Sequence, residues 1–268
     1  MAVSDRRARF RALHHAQQLF VMPNPWDIGS ARLLAASGFQ ALATTSAGFA
    51  WSIGKLDQTV RRDELITHVR RLADATPLPL NVDSERCYPD DPGGVAETVA
   101  LLAEAGAAGF SIEDYNAVTG GIDDITMAAD RVAIAADAAH SLPEPMVLTG
   151  RAENHIRGVD DLEDTISRLI AYRDAGADVV YAPGLSSIDQ VAAVADAVGA
   201  PMNVLALPNG PTLSELASAG VRRVSTGSAL AACAYRALTD AAHELLTQGT
   251  SHFAEHRITR RALETAFS

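Results

Sequence analysis

Cysteine and lysine are scarce in this chain of 268 residues, and each scarcity excludes a kind of chemistry. The two cysteines, Cys87 and Cys233, are too few for a disulfide framework and lack the spacing of a metal-binding motif. We therefore expect a reducing, cytoplasmic environment. Lys55 is the only lysine among the 22 basic residues. Because Schiff-base aldolases and pyridoxal phosphate enzymes need a reactive lysine, the sequence disfavours both classes.

The chain also lacks long apolar runs and an excess of positive charge. No run approaches the roughly 20 apolar residues that span a bilayer, so we expect no membrane partner. The first residues are basic but lead into no apolar segment, so they do not resemble a secretory signal. The net charge of -11 would repel a phosphate backbone, which disfavours a nucleic-acid partner.

A repeated phrase organises the sequence: the end of an alanine-rich helix, then a glycine, then an apolar strand. The glycines are Gly38, Gly106, Gly176 and Gly220. A glycine directly after a helix can adopt the left-handed conformation that ends it. The first three recur about every 70 residues, which is roughly the length of two consecutive βα units. The phrase therefore predicts a chain of alternating strands and helices.

Eight predicted strands fill this pattern. Their ranges are 19–23, 41–45, 78–83, 109–113, 146–150, 179–182, 202–205 and 222–226. Eight βα units in a chain of this length predict an α/β protein of the (β/α)₈ TIM-barrel class, with residues 1–268 as one domain. Residues 250–268 lie beyond the eighth unit and are predicted to form a C-terminal helical extension. A doubly wound sheet is the alternative, and the absence of G-x-G-x-x-G after a strand disfavours it.

Acidic residues follow two neighbouring predicted strands, at the end of a barrel where catalytic residues gather. Asp83 and Glu85 end strand three, two residues apart, so that they would point the same way, and Glu113 ends strand four. Clustered carboxylates repel one another unless a cation lies between them. Because Mg²⁺ prefers oxygen ligands, the sequence predicts a Mg²⁺ site, with Mn²⁺ as an alternative.

Longer motifs surround these acids. They are NPWDIGSARLLAASGFQALATTSAG, VDSE, SIED, GRAE and PMNVLALPNGPTLSELASAGVRRVSTGSAL, in this order over roughly residues 20–240. In order and spacing they resemble the barrels of the isocitrate lyase/phosphoenolpyruvate mutase superfamily. The resemblance implies a small carboxylate substrate. It also implies a homodimer or homotetramer in which C-terminal helices are exchanged between barrels.

The resemblance also implies roles for individual residues. Asp83 would bind the metal directly, and Glu85 and Glu113 would hold its water ligands. Asp57, in the loop after strand two, and Arg151, after strand five, would be catalytic. The residues expected to bind the substrate, with the α-carboxylate held by backbone amides after strand two and by the arginine, are Thr45, Ser46, Ala47, Arg151 and Asn203.

Three departures from the family pattern leave the substrate open. Glu85 stands where the family has an aspartate. The loop after Glu113, residues 114–121, has none of the Lys-x-Cys-Gly-His motif whose cysteine donates a proton in the family lyases. Leu205 stands where those lyases have a serine or threonine that binds a second carboxylate. We therefore expect no useful isocitrate or methylisocitrate lyase activity.

The resulting function is a Mg²⁺-dependent lyase or hydrolase that cleaves a C–C bond next to an α-keto or α-hydroxy carboxylate through an enolate-like intermediate. Phosphorus–carbon chemistry on a phosphonate is the second reading, and a barrel that binds a metabolite without turnover is the third. Three smaller choices also stay open. Arg86 either clamps an anion or pairs with Asp90 or Asp91, His155 is either an acid–base group or structural, and residues 225–228 either bind phosphate or form a turn.

Overall fold

All eight predicted strands are present, and they are parallel. A computed structural model describes residues 2–268. The strands are β1 (Phe20–Met22), β2 (Leu42–Ala43), β3 (Leu80–Asp83), β4 (Gly109–Glu113), β5 (Val147–Arg151), β6 (Val179–Tyr181), β7 (Met202–Leu205) and β8 (Arg223–Ser225). They pair in chain order from β2 to β8, and β8 then pairs with β1. Each strand overlaps its predicted range.

Two hydrogen bonds close the ring between β1 and β2. The N–H of Ala43 donates to the carbonyl of Pro23, directly after β1, with an N···O distance of 3.0 Å. The side chain of Asn24 adds a second link, because its Nδ2 donates to the carbonyl of Thr44 at 2.7 Å. The strands therefore form a (β/α)₈ barrel, and the doubly wound alternative is wrong.

Helices surround the barrel and precede it. They are α1 (Val3–His15), α2 (Ile28–Ala36), α3 (Ser46–Ser52), α4 (Arg62–Ala75), α5 (Gly94–Glu104), α6 (Ile125–His140), α7 (Leu162–Asp174), α8 (Ile188–Val198), α9 (Leu213–Ser218), α10 (Ala229–Gln248) and α11 (Arg260–Phe267). A short antiparallel hairpin, Tyr115–Asn116 with Gly121–Ile122, follows β4. The main apolar core lies between the strands and these helices.

Helix α1 closes the amino-terminal end of the barrel. Phe10 is fully buried, and its ring lies edge-on to Phe20, with 6.4 Å between the centroids. Burial of such a ring contributes about 1.5–3 kcal/mol. Arg7 binds the end of α5, because its Nε donates to the carbonyl of Ala107 at 3.0 Å and its Nη2 to that of Ala103 at 2.9 Å. The first helix is therefore part of the barrel rather than a loose arm.

The C-terminal extension packs on the barrel of its own chain. Helix α11 lies against α2, and Nη1 of Arg32 donates to the carbonyl of Phe267 at 3.4 Å. Part of the predicted extension, residues 250–268, therefore has a surface to cover within one chain. Phe253, Ile258 and Phe267 nevertheless remain partly exposed.

Helix α10 presents an uncovered apolar face. Leu238, Leu245 and Leu246 lie on one side of the helix, seven and eight residues apart, and Leu246 is 87% exposed. A row of exposed apolar side chains marks an interaction surface. No helix within residues 2–268 combines the length and the apolar character needed to cross a membrane.

We predict that α10 is covered by a second copy of the chain in a homodimer or homotetramer. Light scattering at micromolar protein should therefore give two or four times 28.2 kDa. Charges introduced by Leu238→Glu together with Leu246→Glu should weaken the assembly. Leu213→Glu, at another exposed leucine, is the matched control and should not. A monodisperse monomer for the parent protein would contradict the prediction.

Candidate active site

Arg151 lies at the centre of a carboxylate cluster at the carboxyl end of the barrel. Its Nη1 is 3.3 Å from Asp83 Oδ1 and 3.4 Å from Glu113 Oε2. Its Nε donates to Glu153 Oε1 at 2.5 Å. Strands β3, β4 and β5 end at Asp83, Glu113 and Arg151, so adjacent strands bring these predicted residues together. Glu153 also belongs to the cluster, although it was not among the residues predicted from the sequence.

Negative charge exceeds positive charge in this cluster. Burial, together with the charges of Asp83 and Asp57, raises the pKa of Glu85 to about 8. Burial also raises the pKa of Glu113 well above its usual range, although Arg151 opposes the shift. The pKa of Asp57 is raised by burial first and then by the charge of Asp83. A further cation would therefore stabilise the charged forms of these groups.

The amino terminus of α3 faces the same cluster. The N–H of Ser46 donates to Asp83 Oδ2 at 3.1 Å, and Thr45 caps the helix by accepting from the N–H of Gly48 at 3.2 Å. The N–H of Ala47 lies in the first turn, so it has no acceptor within the helix. Of the two amides predicted to bind substrate, that of Ser46 is thus engaged by Asp83. That of Ala47 is available at the positive end of the helix dipole.

The loop after β2 contributes one predicted residue and one that the sequence did not indicate. Asp57 lines the site, and its Oδ1 is buried without a hydrogen-bond partner among residues 2–268. Gln58 has a φ of 62° and donates from Nε2 to Glu113 Oε1 at 3.0 Å. A non-glycine residue in the left-handed region costs about 1–3 kcal/mol and often marks a functional constraint.

The segment after β3 is strained in the same way. Glu85, Cys87 and Tyr88 have φ values of 51°, 61° and 49°. Because β3 ends at Asp83, Glu85 does not alternate with it along a strand, and the expected reason for their convergence is wrong. Glu85 instead lines a neighbouring cavity of about 170 Å³. Its carboxyl group still belongs to the cluster electrostatically, since Asp83 and Asp57 raise its pKa.

The cluster opens onto a larger cavity of about 320 Å³. Its polar lining includes the predicted residues Thr45, Ser46, Ala47, Asp57, Asp83, Arg151 and Asn203. Its apolar lining comes from Ile156, Leu205, Leu207 and Pro208. Glu113 is 4% exposed and lies behind Arg151 rather than in the lining. The predicted substrate-binding residues therefore share one cavity with an apolar surface.

Arg86 and His155 are held by acidic side chains. Arg86 Nη2 is 3.0 Å from Asp123 and its Nη1 is 3.5 Å from Asp90, so pairing describes it better than anion binding. His155 Nδ1 lies 3.2 Å from Asp160 Oδ1, and its side chain is almost fully buried. Neither residue lines the larger cavity. The structure therefore favours a structural role for both.

The loop after β8 and Cys87 are also structural. Asn24 Oδ1 accepts from the N–H groups of Thr226 and Gly227 at 2.9 and 3.0 Å. These amides are therefore used to hold a turn rather than to bind phosphate. Cys87 is fully buried, and burial raises its thiol pKa to about 12. It does not line the larger cavity, so it is a packing residue.

The cluster matches Mg²⁺ in charge and in donor type. Asp57, Asp83, Glu85, Glu113 and Glu153 supply only oxygen donors, which Mg²⁺ and Mn²⁺ prefer. Burial and mutual repulsion raise the pKa of Glu85 and Glu113, and a cation beside them would lower it again by stabilising the charged forms. Within residues 2–268, no three acidic, histidine or cysteine side chains form a ready-made metal-binding group. The cluster therefore agrees with Mg²⁺ in charge and in the type of donor atom, but its side chains are not yet arranged as a complete set of ligands.

The family model described as phosphoenolpyruvate phosphomutase matches residues 10–246, and the chain belongs to this family. The match confirms the resemblance to the isocitrate lyase/phosphoenolpyruvate mutase superfamily. Together with the barrel, it identifies an enzyme of that type, with its reaction open.

Individual relatives cover almost the whole chain. A crystal structure from Burkholderia cenocepacia, provisionally described as a lyase/mutase, is 48% identical, with a TM-score of 0.94 over 99% of this chain and 96% of that one. The 2-methylisocitrate lyase of Salmonella typhimurium is 30% identical over 92% of this chain and 85% of its own length. The structure of oxaloacetate acetylhydrolase with its product oxalate is 27% identical, with a TM-score of 0.86 over 98% and 94%.

We predict that Mg²⁺ or Mn²⁺ together with oxalate raises the melting temperature by roughly 5–10 °C, because ligand binding to the folded state stabilises it. Asp83→Asn should remove this shift, since it deletes a charge at the centre of the cluster. Asp90→Asn, at an exposed acid nearby, is the matched control and should retain it. The metal site is wrong if Asp83→Asn responds like the parent.

The raised pKa of Glu85 predicts that the metal-free protein loses stability between pH 6.5 and 8. The folded state holds a proton that the unfolded carboxyl, with its ordinary pKa of 4.5, has already released. The buried histidines His14 and His68 are neutral in the folded state over this window, but their unfolded forms, with an ordinary pKa of 6.5, still lose protons near pH 6.5 and so offset part of the loss. The free energy of unfolding should fall by about 1 kcal/mol in total.

Urea unfolding in EDTA at pH 6.5, 7.25 and 8 measures this loss. Glu85→Gln should reduce this loss of stability with rising pH, because it removes one of the titrating carboxyl groups. Glu104→Gln, at an exposed helical position, should behave like the parent. A parent protein that becomes more stable over this range would show that the sign of the shift is wrong.

Proposed function

We propose that this protein is a Mg²⁺-dependent lyase or hydrolase that cleaves a C–C bond next to the carboxylate of a small α-keto or α-hydroxy acid. The observation that carries the proposal is the position of Arg151. It is buried at the carboxyl end of the barrel among Asp83, Glu113 and Glu153, and it lines the cavity. Its carboxylate neighbours keep it charged and hold it in place, and a guanidinium can bind a substrate carboxylate strongly.

The cavity favours a substrate with one carboxylate near Arg151 and an apolar group elsewhere. The side chains of Ile156, Leu205 and Leu207 offer no hydrogen-bond donor to a second carboxylate. Arg157 also lines the cavity, but its Nε is paired with Glu153 Oε2 at 3.0 Å. Leaving such a charge unpaired against apolar side chains would cost several kcal/mol. An alkyl group at this place gains about 25 cal/mol per Å² of buried surface instead.

The names of the relatives support this class of substrate. 2-Methylisocitrate is a 2-hydroxy acid and oxaloacetate is a 2-oxo acid, so both carry an oxygen next to a carboxylate. The acetylhydrolase structure contains oxalate, which has two adjacent carboxylates and resembles the planar enolate of a 2-oxo acid. We propose the same recognition of adjacent oxygens by this chain.

Asp57 is the proposed proton carrier. Its Oδ1 is buried without a partner, and its raised pKa suits a group that takes up and returns a proton. In a hydroxy acid whose departing carbon bears a carbonyl group, Asp57 Oδ1 would accept the hydroxyl proton as the C–C bond breaks. The electron pair of that bond would pass to the departing fragment, which leaves as an enolate, and Asp57 would return the proton to the enolate carbon. The N–H of Ala47 would donate to the oxygen on which negative charge develops.

Asp83, with Glu85 and Glu113 beside it, would hold the Mg²⁺ or Mn²⁺ ion. When bound, the ion would supply Lewis-acid stabilisation of negative charge on the substrate oxygens. Gln58 keeps Glu113 in place through the 3.0 Å hydrogen bond to Oε1, and Arg151 holds Oε2. These contacts orient the carboxylates of the site before any ligand arrives.

A turnover screen tests the proposal. With Mg²⁺, we expect C–C cleavage of at least one alkyl-bearing 2-hydroxy or 2-oxo acid, detected as release of a 2-oxo acid or oxalate. Arg151→Lys should lower kcat/KM by about 10²-fold or more, because lysine cannot form the forked contact. Arg86→Lys, outside the larger cavity, is the matched control and should change it little.

The same screen separates the alternatives. Phosphate release from a phosphonate would favour the phosphorus–carbon reaction, and a thermal shift without any product would favour a binding protein. Isocitrate and 2-methylisocitrate should give no detectable product, because Leu205 offers no hydroxyl to a second carboxylate and the loop at residues 114–121 has no thiol to donate a proton. Robust turnover of either by the parent would contradict this reading, and its loss in Cys87→Ser would show that Cys87 supplies the proton.

A further inference from the structure

A second arginine is buried inside the barrel without a carboxylate partner. Arg223, on β8, is 1% exposed and lines the cavity from within the ring of strands. No acidic side chain within residues 2–268 forms an ion pair with it. Because an unpaired buried charge is costly, the hydrogen bonds that replace the ion pair must be well formed.

Three neutral side chains supply these hydrogen bonds. Arg223 Nε donates to Asn203 Oδ1 at 2.9 Å, and Nη2 donates to Thr149 Oγ1 at 2.9 Å. Nη1 lies 3.1 Å from His14 Nε2. These partners come from β7, from β5 and from helix α1, so the guanidinium joins the far end of the barrel to the substrate cavity.

The direction of each hydrogen bond follows from chemistry. A guanidinium only donates, so His14 Nε2 must accept and Asn203 must turn its oxygen towards Arg223. The other nitrogen of His14, Nδ1, lies 2.8 Å from the carbonyl of Phe10, which only accepts. His14 is therefore neutral and carries its proton on Nδ1. Burial and the charge of Arg223 lower its pKa to about 3, which agrees with this assignment.

These contacts fix the orientation of the Asn203 amide. Its oxygen accepts from Arg223 Nε and is directed towards that guanidinium. Its Nδ2 carries two N–H groups, and one donates to Ser225 Oγ at 2.9 Å. Since Asn203 lines the cavity, its second N–H can donate to a molecule bound there.

We propose that Arg223, held by His14, is a positioning residue that locks Asn203 as a hydrogen-bond donor, so that the cavity selects a substrate oxygen over an N–H group at this point. The inference rests on the proposed function only in its choice of carboxylate ligands. Without the arginine, the amide could rotate by half a turn and present its oxygen instead. The cavity would then no longer favour a hydrogen-bond acceptor on the ligand beside Asn203.

The test compares oxalate with oxamate, in which an amide replaces one carboxylate. Calorimetry with Mg²⁺ should show that the parent prefers oxalate. In Arg223→Met the ratio of the two affinities should narrow by about 10-fold, because a donor to a charged oxygen is lost. Arg223→Lys keeps a donor and a charge, and should retain most of the preference. Arg222→Met, on the neighbouring residue, is the matched control and should equal the parent.

Arg223→Met leaves Asn203, Thr149 and His14 without their donor, so its fold is checked first by circular dichroism and thermal melting, and Arg223→Lys provides the second variant. An unchanged ratio in Arg223→Met would overturn the inference. If the parent binds neither ligand, the proposed function fails, and a second measurement decides the inference alone. ¹⁵N NMR should show His14 neutral and protonated on Nδ1 from pH 5 to 8. Protonation on Nε2 in the parent would overturn the hydrogen-bond chain.

Discussion

The burial of Arg151 among carboxylates is the constraint on which the site depends. The buried guanidinium of Arg151 is compensated by charge, and Asp83, Glu113 and Glu153 provide more than one unit of it. Burial raises the pKa of Glu113 despite the attraction of Arg151, and the neighbouring carboxylates add to the shift. Two hydrogen bonds from neighbouring elements stabilise the excess negative charge: the N–H of Ser46 donates to Asp83, and Nε2 of Gln58 donates to Glu113. Arg151 and these hydrogen bonds compensate part of the carboxylate charge without a ligand, and the negative charge that is left attracts a cation.

The two arginines inside the barrel are stabilised in opposite ways. Arg151 faces carboxylates, which makes its position sensitive to any ion or anion that enters the cavity. Arg223 faces Asn203, Thr149 and His14, none of which carries a charge that would attract an ion entering the cavity. The first arrangement suits a group that exchanges partners during binding. The second suits a group whose task is to keep another side chain still.

The sequence could predict the barrel and the residues at its strand ends. The pattern of a glycine followed by a strand recurs because each βα unit must end its helix and return the chain to the barrel. Asp83, Glu113 and Arg151 stand directly at the ends of strands. Gln58 was not predicted, and Glu85 was predicted as a site residue but with the wrong backbone conformation. Left-handed backbone at a non-glycine residue depends on the tertiary surroundings rather than on local propensity. The Arg223–His14 contact joins residues 209 positions apart, and no local pattern predicts it.

Two departures from the family pattern bear on the same step of a reaction. A second substrate carboxylate and a proton donor serve one step, because cleavage of a dicarboxylic substrate leaves a carbanion beside that carboxylate. Leu205 offers no hydroxyl to such a carboxylate, and the loop at residues 114–121 has no thiol to protonate the carbanion. Arg151, proposed to bind the first carboxylate, and Asp83, proposed to bind the metal, lie 3.3 Å apart at the ends of their strands. The proposed function therefore keeps the groups for the first carboxylate and gives the rest of the substrate an apolar surface.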